Sequence, residues 1–216
     1  MSRAVTVRDL LAVSPTCMSG RSLPRLPGAD LVWSSAGRRA LTIRSSEEWS
    51  STVATVLIRV ASIQDWPKIW PFFAEIVKAG ETYAYPESLS SDEARALWMD
   101  EPPGHTVVAV DGDDVLGSAK MGPNRPGRGA HVATASFMVD PTLQGRGVGR
   151  ALAQYVIEWA REAGYHSMQF NAVVETNTSA VALWQSVGFE ILTTVPEAFD
   201  HPKHGLVGLH IMYQRL

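Results

Sequence analysis

A strand, a glycine-rich turn and a helix follow one another from residue 135 onwards, and this segment constrains the fold most strongly. The apolar run at 135–139 ends at Asp140-Pro141, and three closely spaced glycines follow it. Glycine lets the backbone approach a ligand closely, and the free N–H groups of a first helical turn point at that ligand. The helix dipole adds about +0.5 charge at the same end. The segment therefore predicts a binding site for an anionic group such as a phosphate.

The spacing of the glycines distinguishes between the known kinds of phosphate-binding loop. A Walker A loop requires a Lys after its last glycine, and none follows here. A dinucleotide-binding turn would place its third glycine at position 150, which is Arg150. The pattern that fits is Gln/Arg-x-x-Gly-x-Gly/Ala, present as Gln144-Gly145-Arg146-Gly147-Val148-Gly149. It resembles the acyl-CoA pyrophosphate loop of the GNAT (GCN5-related N-acetyltransferase) superfamily.

A second segment further along the chain strengthens this resemblance. Residues 177–189 are similar to the GNAT pattern Asn-x-x-Ala-x-x-Leu-Tyr-x-x-x-Gly-Phe. Asn177 or Thr178 is suited to cap a helix, and Gly188 is suited to end it. Two separate signatures in the family's order and spacing identify the chain as a member of the superfamily.

Composition limits the partners and the compartment. The chain of 216 residues has a net charge of −3, which argues against nucleic acid as its main partner. No apolar run approaches the roughly 20 residues of a membrane helix, so no membrane association is expected. Cys17 is the single cysteine, which excludes an internal disulfide and a cysteine-based metal cluster, and no metal is expected. A reducing cytoplasmic location is therefore predicted.

The first 50 residues are rich in Arg, Ser and Pro and poor in acidic residues. We expect a poorly ordered extension at 1–50 and an acetyltransferase domain at 51–216. Two alternatives remain open. The domain could start at Met18 or near Val53, or the Arg-rich segment could be a mitochondrial transit peptide, although it lacks the organised amphipathic helix of such signals.

Hydrophobic periodicity and turn signals predict the remaining elements. Pro71, inside the first helix, predicts a kink or a break. The predicted order β-α-α-β-β-β-α-β-α-β-β gives an α/β (α+β) fold with a mixed, largely antiparallel sheet flanked by helices, as in the GNAT fold. Strands are expected at 54–60, 106–110, 115–121, 130–139 and 166–174, from Phe189, and at 210–214, and helices at 64–79 and 91–99, from Val148, and from 178.

The resemblance implies an acetyl-CoA-dependent N-acetyltransferase. In the family, two strands separate beyond the fourth strand, and the exposed backbone there holds the acetyl and pantetheine groups. The N–H of Val139 would then be the oxyanion donor. The residues that the resemblance assigns to acetyl-CoA are Met138, Val139, Gln144, Gly145, Arg146, Gly147, Val148, Gly149, Arg150, Asn177 and Trp184.

The proton-transfer groups are less clearly indicated. The family often has a Tyr as general acid where this chain has Trp184, whose indole N–H has no useful acidity. Either another group protonates the leaving thiolate or water does, and Trp184 is better suited to packing. Glu175, after the fifth strand, is the first candidate for the general base, with His131 as a second. His201 and His204 have a metal-like spacing, but a surface loop explains them better.

The acceptor is expected to be a small amine related to amino acids. Tyr83 and Tyr85, after the first helix, would form a wall of its pocket, and Asn171 would contact its carboxylate or amine. These residues could instead cover the core and hydrogen-bond the sheet. The alternative functions are a protein or peptide N-acetyltransferase and a catalytically silent acyl-CoA-binding module. A homodimer is also considered.

Overall fold

The computed structural model describes residues 29–33, 39–43, 56–143 and 145–216, the first two ranges as backbone only. Four helices are present in these ranges: α1 (Trp66–Ala79), α2 (Ser91–Trp98), α3 (Val148–Glu162) and α4 (Thr178–Ser186). The strands are β1 (Ala29–Trp33), β2 (Arg39–Ile43), β3 (Leu57–Val60), β4 (His105–Asp111), β5 (Asp114–Pro123), β6 (Val132–Val139), β7 (Ser167–Val174), β8 (Glu190–His201) and β9 (Gly205–Arg215).

The strands form one sheet in the order β1-β2-β3-β4-β5-β6-β7-β9-β8. Neighbouring strands are antiparallel except β6 and β7, which are parallel. From β3 onwards the element order is the predicted one, and the mixed, largely antiparallel α/β fold is confirmed. β1 and β2 extend the sheet within residues 1–50, while the rest of that range and the proposed domain boundary lie outside the described residues.

Helices pack on both faces of the sheet and bury two apolar cores. The face covered by α3 and α4 has Leu152, Met168 and Met212 at its centre, all fully buried. On the opposite face, α1 and α2 cover a core that is also centred on buried apolar side chains. Apolar residues recur in α1 at the three- and four-residue spacing of one helical face, which explains its packing: Trp66, Ile69, Phe72, Phe73 and Val77.

The start of α1 differs from the prediction. A 3₁₀ turn at Ile63–Asp65 precedes the helix, which then continues through Pro71 to Ala79 without a break. Pro71 lacks the N–H that would bond the carbonyl of Pro67, but Pro67 is exposed, so water can satisfy that carbonyl. The predicted break was therefore wrong.

An ion pair anchors this start. The guanidinium of Arg59 on β3 donates to both carboxylate oxygens of Asp65, at 2.7 and 2.8 Å. The backbone N–H and the hydroxyl of Ser62 donate to the same carboxylate. These hydrogen bonds, with that of Arg59 the largest contribution, lower the pKa of Asp65 to about 2. The pair fixes the beginning of α1 against the edge of β3.

Candidate active site

The parallel strands β6 and β7 separate after a short pairing. They pair at Val132 with Ser167 and at Ala133 with Met168, and both strands then continue to Val139 and Val174 without further pairing to each other. A regular parallel ladder would continue along both strands. The divergence leaves a wedge-shaped gap between them, which we call the β6–β7 gap, and one edge of β6 faces it.

The two edges of β6 alternate along the strand, as the two-residue period requires. The N–H of Asp140 donates to the carbonyl of Leu116, and the carbonyl of Val132 accepts from Asn124, so even-numbered residues face β5. The main-chain groups of Phe137 and Val139 consequently face the gap. Those of Met138 face β5, and its side chain is buried under α1 and α2.

The prediction for this strand thus needs one change. The orientation of the Val139 N–H suits the oxyanion role predicted for it, whereas the main chain of Met138 is directed away from the gap. Phe137 has the main-chain groups that face the gap, and the sequence analysis missed it. The two-residue period, counted back from Val139, is the signal that could have identified it.

A tyrosine hydroxyl lies against this edge of β6. Tyr83 Oη accepts from the N–H of Phe137 at 3.0 Å and donates to its carbonyl at 2.7 Å. The ring of Tyr83 stacks on Tyr85, with centroids 5.4 Å apart, and packs edge-on against Trp98. Burial raises the pKa of Tyr83 far above its ordinary value, so the hydroxyl remains protonated. The loop after α1 therefore reaches the gap, and the acceptor wall assigned to it stays a prediction.

The glycine turn has the conformation of an anion-binding loop. Gly145 and Gly147 have φ angles of 82° and 79°, a left-handed region that side chains disfavour. Gly147 is the N-cap of α3, and its carbonyl accepts from Ala151. The N–H groups at 148–150 then have no acceptor within the helix and point out of its first turn. Gln144 lies outside the described residues.

Val148 and Gly149 serve a second purpose in this turn. The side chain of Val148 is buried in the core, so only its main chain is available to a ligand. A Cβ on Gly149 would lie 3.4 Å from Leu183, so glycine allows α3 and α4 to approach closely. Packing and ligand access both therefore restrict these two positions.

The two arginines of the turn differ in their surroundings. Arg150 donates to the hydroxyl of Ser186 at 2.9 Å, and this hydroxyl donates to the carbonyl of Leu183 at 2.6 Å. Arg150 is thereby linked to the end of α4. Arg146 lies in the exposed part of the turn, before the helix. Both can reach an anion at the helix start, and Arg146 has the greater freedom to do so.

Helix α4 lies beside the gap. Asn177 caps it, and its side-chain oxygen accepts from the N–H of Ala180 at 3.1 Å, as predicted for one of the two capping candidates. Trp184 is 7% exposed, and its ring centroid lies 4.7 Å from that of Phe137 and 4.9 Å from that of Phe170. Trp184 is thus a packing residue beneath the gap.

The candidate bases lie in different places. Glu175 follows β7, and its carboxylate accepts from the N–H of Gly208 on β9. A Cβ on Gly208 would come within 2.8 Å of that carboxylate, so a side chain there would displace the carboxylate. His131 precedes β6, beside Arg128, whose carbonyl is 3.1 Å from its Nδ1. These positions leave the general base a prediction.

A polar chain crosses the narrow end of the gap. Asn171 Nδ2 donates to Asn124 Oδ1 at 2.7 Å, and Gln169 donates to Asn171 Oδ1 at 2.8 Å. Asn171 lies where the pairing of β7 with β9 is interrupted, between Phe170 and Val173. Asn171 thus lies outside the regular pairing of β7 with β9. Its hydrogen bonds also fit the alternative role, in which Asn171 only hydrogen-bonds within the sheet.

The part of the chain that the structure describes was compared with the requirements of a membrane span and of a metal site. No helix within it has the length and apolar composition of a membrane span. Its His, Cys, Asp and Glu side chains form no group of three or more that could hold a metal ion. His201, the buried last residue of β8, and His204, in the turn before β9, lie near each other, with ring centroids 4.7 Å apart, so the predicted surface loop fits His204 but not His201.

Known proteins share this arrangement. A GCN5-related N-acetyltransferase from Kribbella flavida is 61% identical, with a TM-score of 0.73, covering 74% of this chain and 98% of that one. The yncA protein from Salmonella typhimurium, solved with its cofactor acetyl-CoA, is 26% identical with a TM-score of 0.64, covering 74% and 94% of the two chains.

Curated relatives give a similar result. An L-methionine sulfoximine/L-methionine sulfone acetyltransferase from Pseudomonas paraeruginosa is 34% identical over 146 residues, which are 65% of this chain and 83% of that protein. The chain spans only 14% and 36% of the length of two yeast relatives that it matches.

The family assignment follows from the match over most of the folded chain. Acetyl-CoA is the co-substrate of these enzymes, and the chain is accordingly an N-acetyltransferase. Residues 70–189 match the Acetyltransferase (GNAT) family, and the chain belongs to that family.

Proposed function

We propose that this protein transfers the acetyl group of acetyl-CoA to the amine of a small, amino-acid-like molecule. The observation that carries the proposal is the β6–β7 gap, where the main-chain groups of Phe137 and Val139 face an opening near the start of α3. Such a strand edge can hydrogen-bond an amide-containing chain as a further strand would. The first turn of α3 can hold the phosphates at its other end.

The chain's own residues fit this co-substrate. Gly145 and Gly147 bring main-chain N–H groups to the anion, and Arg146 and Arg150 add charge-assisted hydrogen bonds. Asn177, at the start of α4, is proposed to contact the pantetheine arm. The bound thioester supplies the acetyl group, and the N–H of Val139 would stabilise negative charge on its oxygen, since that of Phe137 is held by Tyr83.

The acceptor class rests on two supports. Tyr83 and Tyr85 stack beside the gap, which gives an aromatic wall suited to a small molecule. The relative from Pseudomonas paraeruginosa is named for L-methionine sulfoximine and sulfone, both of them amino acids. Asn171 is proposed to contact the acceptor, and Glu175 is retained as a candidate base. A cytoplasmic location and a homodimer also remain predictions.

Two alternatives make different predictions. A peptide acetyltransferase requires an open groove that admits an extended chain, whereas Tyr83 closes the edge of β6 at Phe137. A silent acyl-CoA-binding module is the second alternative, because Trp184 replaces the usual Tyr and is buried. Turnover distinguishes all three functions.

The test is a thiol-release assay with acetyl-CoA and a panel of amino acids, polyamines and short peptides. We expect thiol release with one or more amino acids and none with peptides. Product mass should show one added acetyl group on the acceptor amine. Tight binding of acetyl-CoA without turnover on any acceptor would contradict the proposal, and turnover restricted to peptides would favour the first alternative.

A further inference from the structure

A cleft of about 270 Å³ opens on the face of the sheet that carries α1 and α2. Its floor is formed by β5 and β6, and its wall by the turn at residues 100–104 between α2 and β4. Lys120 pairs directly with Ser136 across the two strands, and Gly122 pairs with Thr134. The side chains of Lys120, Thr134 and Ser136 therefore share this face.

The cleft adjoins the β6–β7 gap. Thr134 and Ser136 follow Ala133, the last β6 residue to pair with β7. Ser136 precedes Phe137, whose main-chain groups face the gap and contact Tyr83. The cleft therefore lies next to the segment of β6 whose edge is assigned to the acetyl donor.

The wall of the cleft is held in place. The N–H of Asp100 donates to Thr106 Oγ1 at 2.9 Å, and that hydroxyl donates to the carbonyl of Trp98 at 2.8 Å. A Cβ on Gly122 would lie 3.1 Å from the Cα of Gly104, so glycine at position 122 lets the turn approach β5 closely. The backbone of Asp100 is consequently fixed relative to the floor.

The cleft offers opposite charges. Lys120 Nζ donates to the carbonyl of Leu97 at 2.7 Å and has further donors available. Partial burial removes water from the carboxyl of Asp100 and raises its pKa. The positive charge of Lys120 lowers that pKa, but by less. The other titratable groups near Asp100 are Glu101 on the same turn and Tyr85 after α1, whose own pKa is raised by burial and by Asp100.

We propose that this cleft is the acceptor subsite and that it binds a free α-amino acid, with Lys120 on the carboxylate and Asp100 on the amine. The proposal rests on the proposed acetyltransferase function and deepens it. The volume is below the roughly 300–1,000 Å³ of pockets for drug-sized ligands, which favours a small acceptor. Hydroxyls of Thr134 and Ser136 supply additional hydrogen bonds.

Asp100 is then the proton acceptor. The ammonium loses one proton to become a nucleophile, and the amine nitrogen bonds to the acetyl carbon. The carbon–sulfur bond breaks, and the thiolate leaves and is protonated. The nitrogen gives its second proton to Asp100, which passes it to solvent, so the products are an N-acetyl amino acid, the CoA thiol and one proton. The role of base is thereby assigned to Asp100 in place of Glu175, and the contact with the acceptor to Lys120 and Asp100 in place of Asn171, which does not line the cleft.

The experiment compares an amino acid with the amine formed by removing its carboxylate. We expect the wild type to prefer the amino acid by about tenfold or more in kcat/KM, because the amine lacks the contact with Lys120. Lys120→Met should remove most of this preference, chiefly through KM. Asp100→Asn should lower kcat/KM for both substrates by about 100-fold and flatten the acid limb of its pH profile.

Two controls keep the test decisive. Asp92→Asn, an exposed acid on α2, should leave both substrates unaffected, and Asp100→Glu should recover part of the rate because it keeps a carboxylate. All variants should bind acetyl-CoA as the wild type does. An Asp100→Asn variant with wild-type kcat/KM, or a loss of the acid limb only in Glu175→Gln, would overturn the proposal. A wild type that turns over no amine would overturn the proposed function as well, before any variant is made.

Discussion

The two faces of the sheet carry two proposed sites that use different parts of the chain for recognition. On the side of α3 and α4, the proposed donor site consists of main-chain groups of Phe137, Val139 and the glycine turn. On the side of α1 and α2, the proposed acceptor cleft presents side chains, chiefly those of Asp100 and Lys120. A main-chain site tolerates most side-chain changes and fails when its conformation changes, whereas a side-chain site depends on individual functional groups. The variants below test that difference, from the largest expected effect to the smallest.

Gly147→Asp should damage the donor side most. It places a side chain at a φ of 79° and a negative charge at the proposed phosphate site. We expect acetyl-CoA affinity to fall by about 100-fold or more, as measured by calorimetry. Gly164→Asp is a matched control, because Gly164 lies beyond the other end of α3 with a φ of 81°. Equal affinity for the two variants would contradict the phosphate role of the turn.

Asp65→Asn should affect stability and leave the donor site intact. The pKa of Asp65 is lowered to about 2, so its ion pair stabilises the fold by about 2 kcal/mol above roughly pH 4. That stabilisation is lost as the pH falls from about 4 towards 2, because Asp65 takes up a proton in the unfolded chain at a higher pH than in the folded protein. Urea unfolding of both proteins at pH 7 and near pH 2 measures the difference. A difference that persists unchanged at the lower pH would refute the ion-pair explanation, and unchanged acetyl-CoA affinity is expected throughout.

Tyr83→Phe tests the point where the two sides meet. It leaves the N–H and carbonyl of Phe137 without the hydroxyl, which should cost about 1–2 kcal/mol in the free protein. Saturating acetyl-CoA should reduce this cost if the ligand takes over the same strand edge. Unfolding with and without acetyl-CoA measures both values, with Tyr85→Phe as the matched loss of a hydroxyl. If acetyl-CoA leaves this cost unaltered, Phe137 does not take part in binding the donor.

Arg146→Gln and Arg150→Gln should have the smallest effects, since the main chain supplies most of the proposed phosphate contacts. We expect about fivefold weaker acetyl-CoA binding for Arg146→Gln and about threefold for Arg150→Gln, because Ser186 already holds Arg150. Both losses should shrink as salt is raised. Arg161→Gln, at the far end of α3, should bind normally. A larger loss of affinity for Arg150→Gln would show that Arg150, and not Arg146, makes the stronger contact with the phosphates.

The helix signals on the side of α3 and α4 were confirmed because they are local, while the donor-site residues there stay predictions. The cap at Asn177 and the glycine φ of 102° at Gly188 depend on residues within one helix, so a single pattern predicts them. The order of elements from β3 onwards followed from similarly local periodicity. Even on this side, the orientation of β6 was established from its hydrogen bonds with β5. These bonds show that the main-chain groups of Phe137, as well as those of Val139, face the gap.

The acceptor side could not be predicted to the same degree, since its parts come together only in the folded chain. Tyr83 and Phe137 are 54 positions apart, and nothing in either neighbourhood indicates their contact. Asp100 lies in a Pro- and Gly-containing turn that reads as an ordinary connection, and only the closeness of Gly104 and Gly122 brings it over β5. The unbroken course of α1 through Pro71 is a comparable case, because burial of its apolar face outweighs the missing hydrogen bond.

The position of β9 has a consequence for how the enzyme folds. Because β7 leaves β6 after Ala133 and Met168, the far wall of the gap is supported mainly by its ladder with β9. Residues 205–215 must therefore insert between β7 and β8 before the donor site has two walls. Contacts between such distant segments form late and slow folding. We expect partly folded forms to contain the β4–β6 sheet without any capacity for acetyl-CoA, so catalytic competence is gained in the last step of assembly.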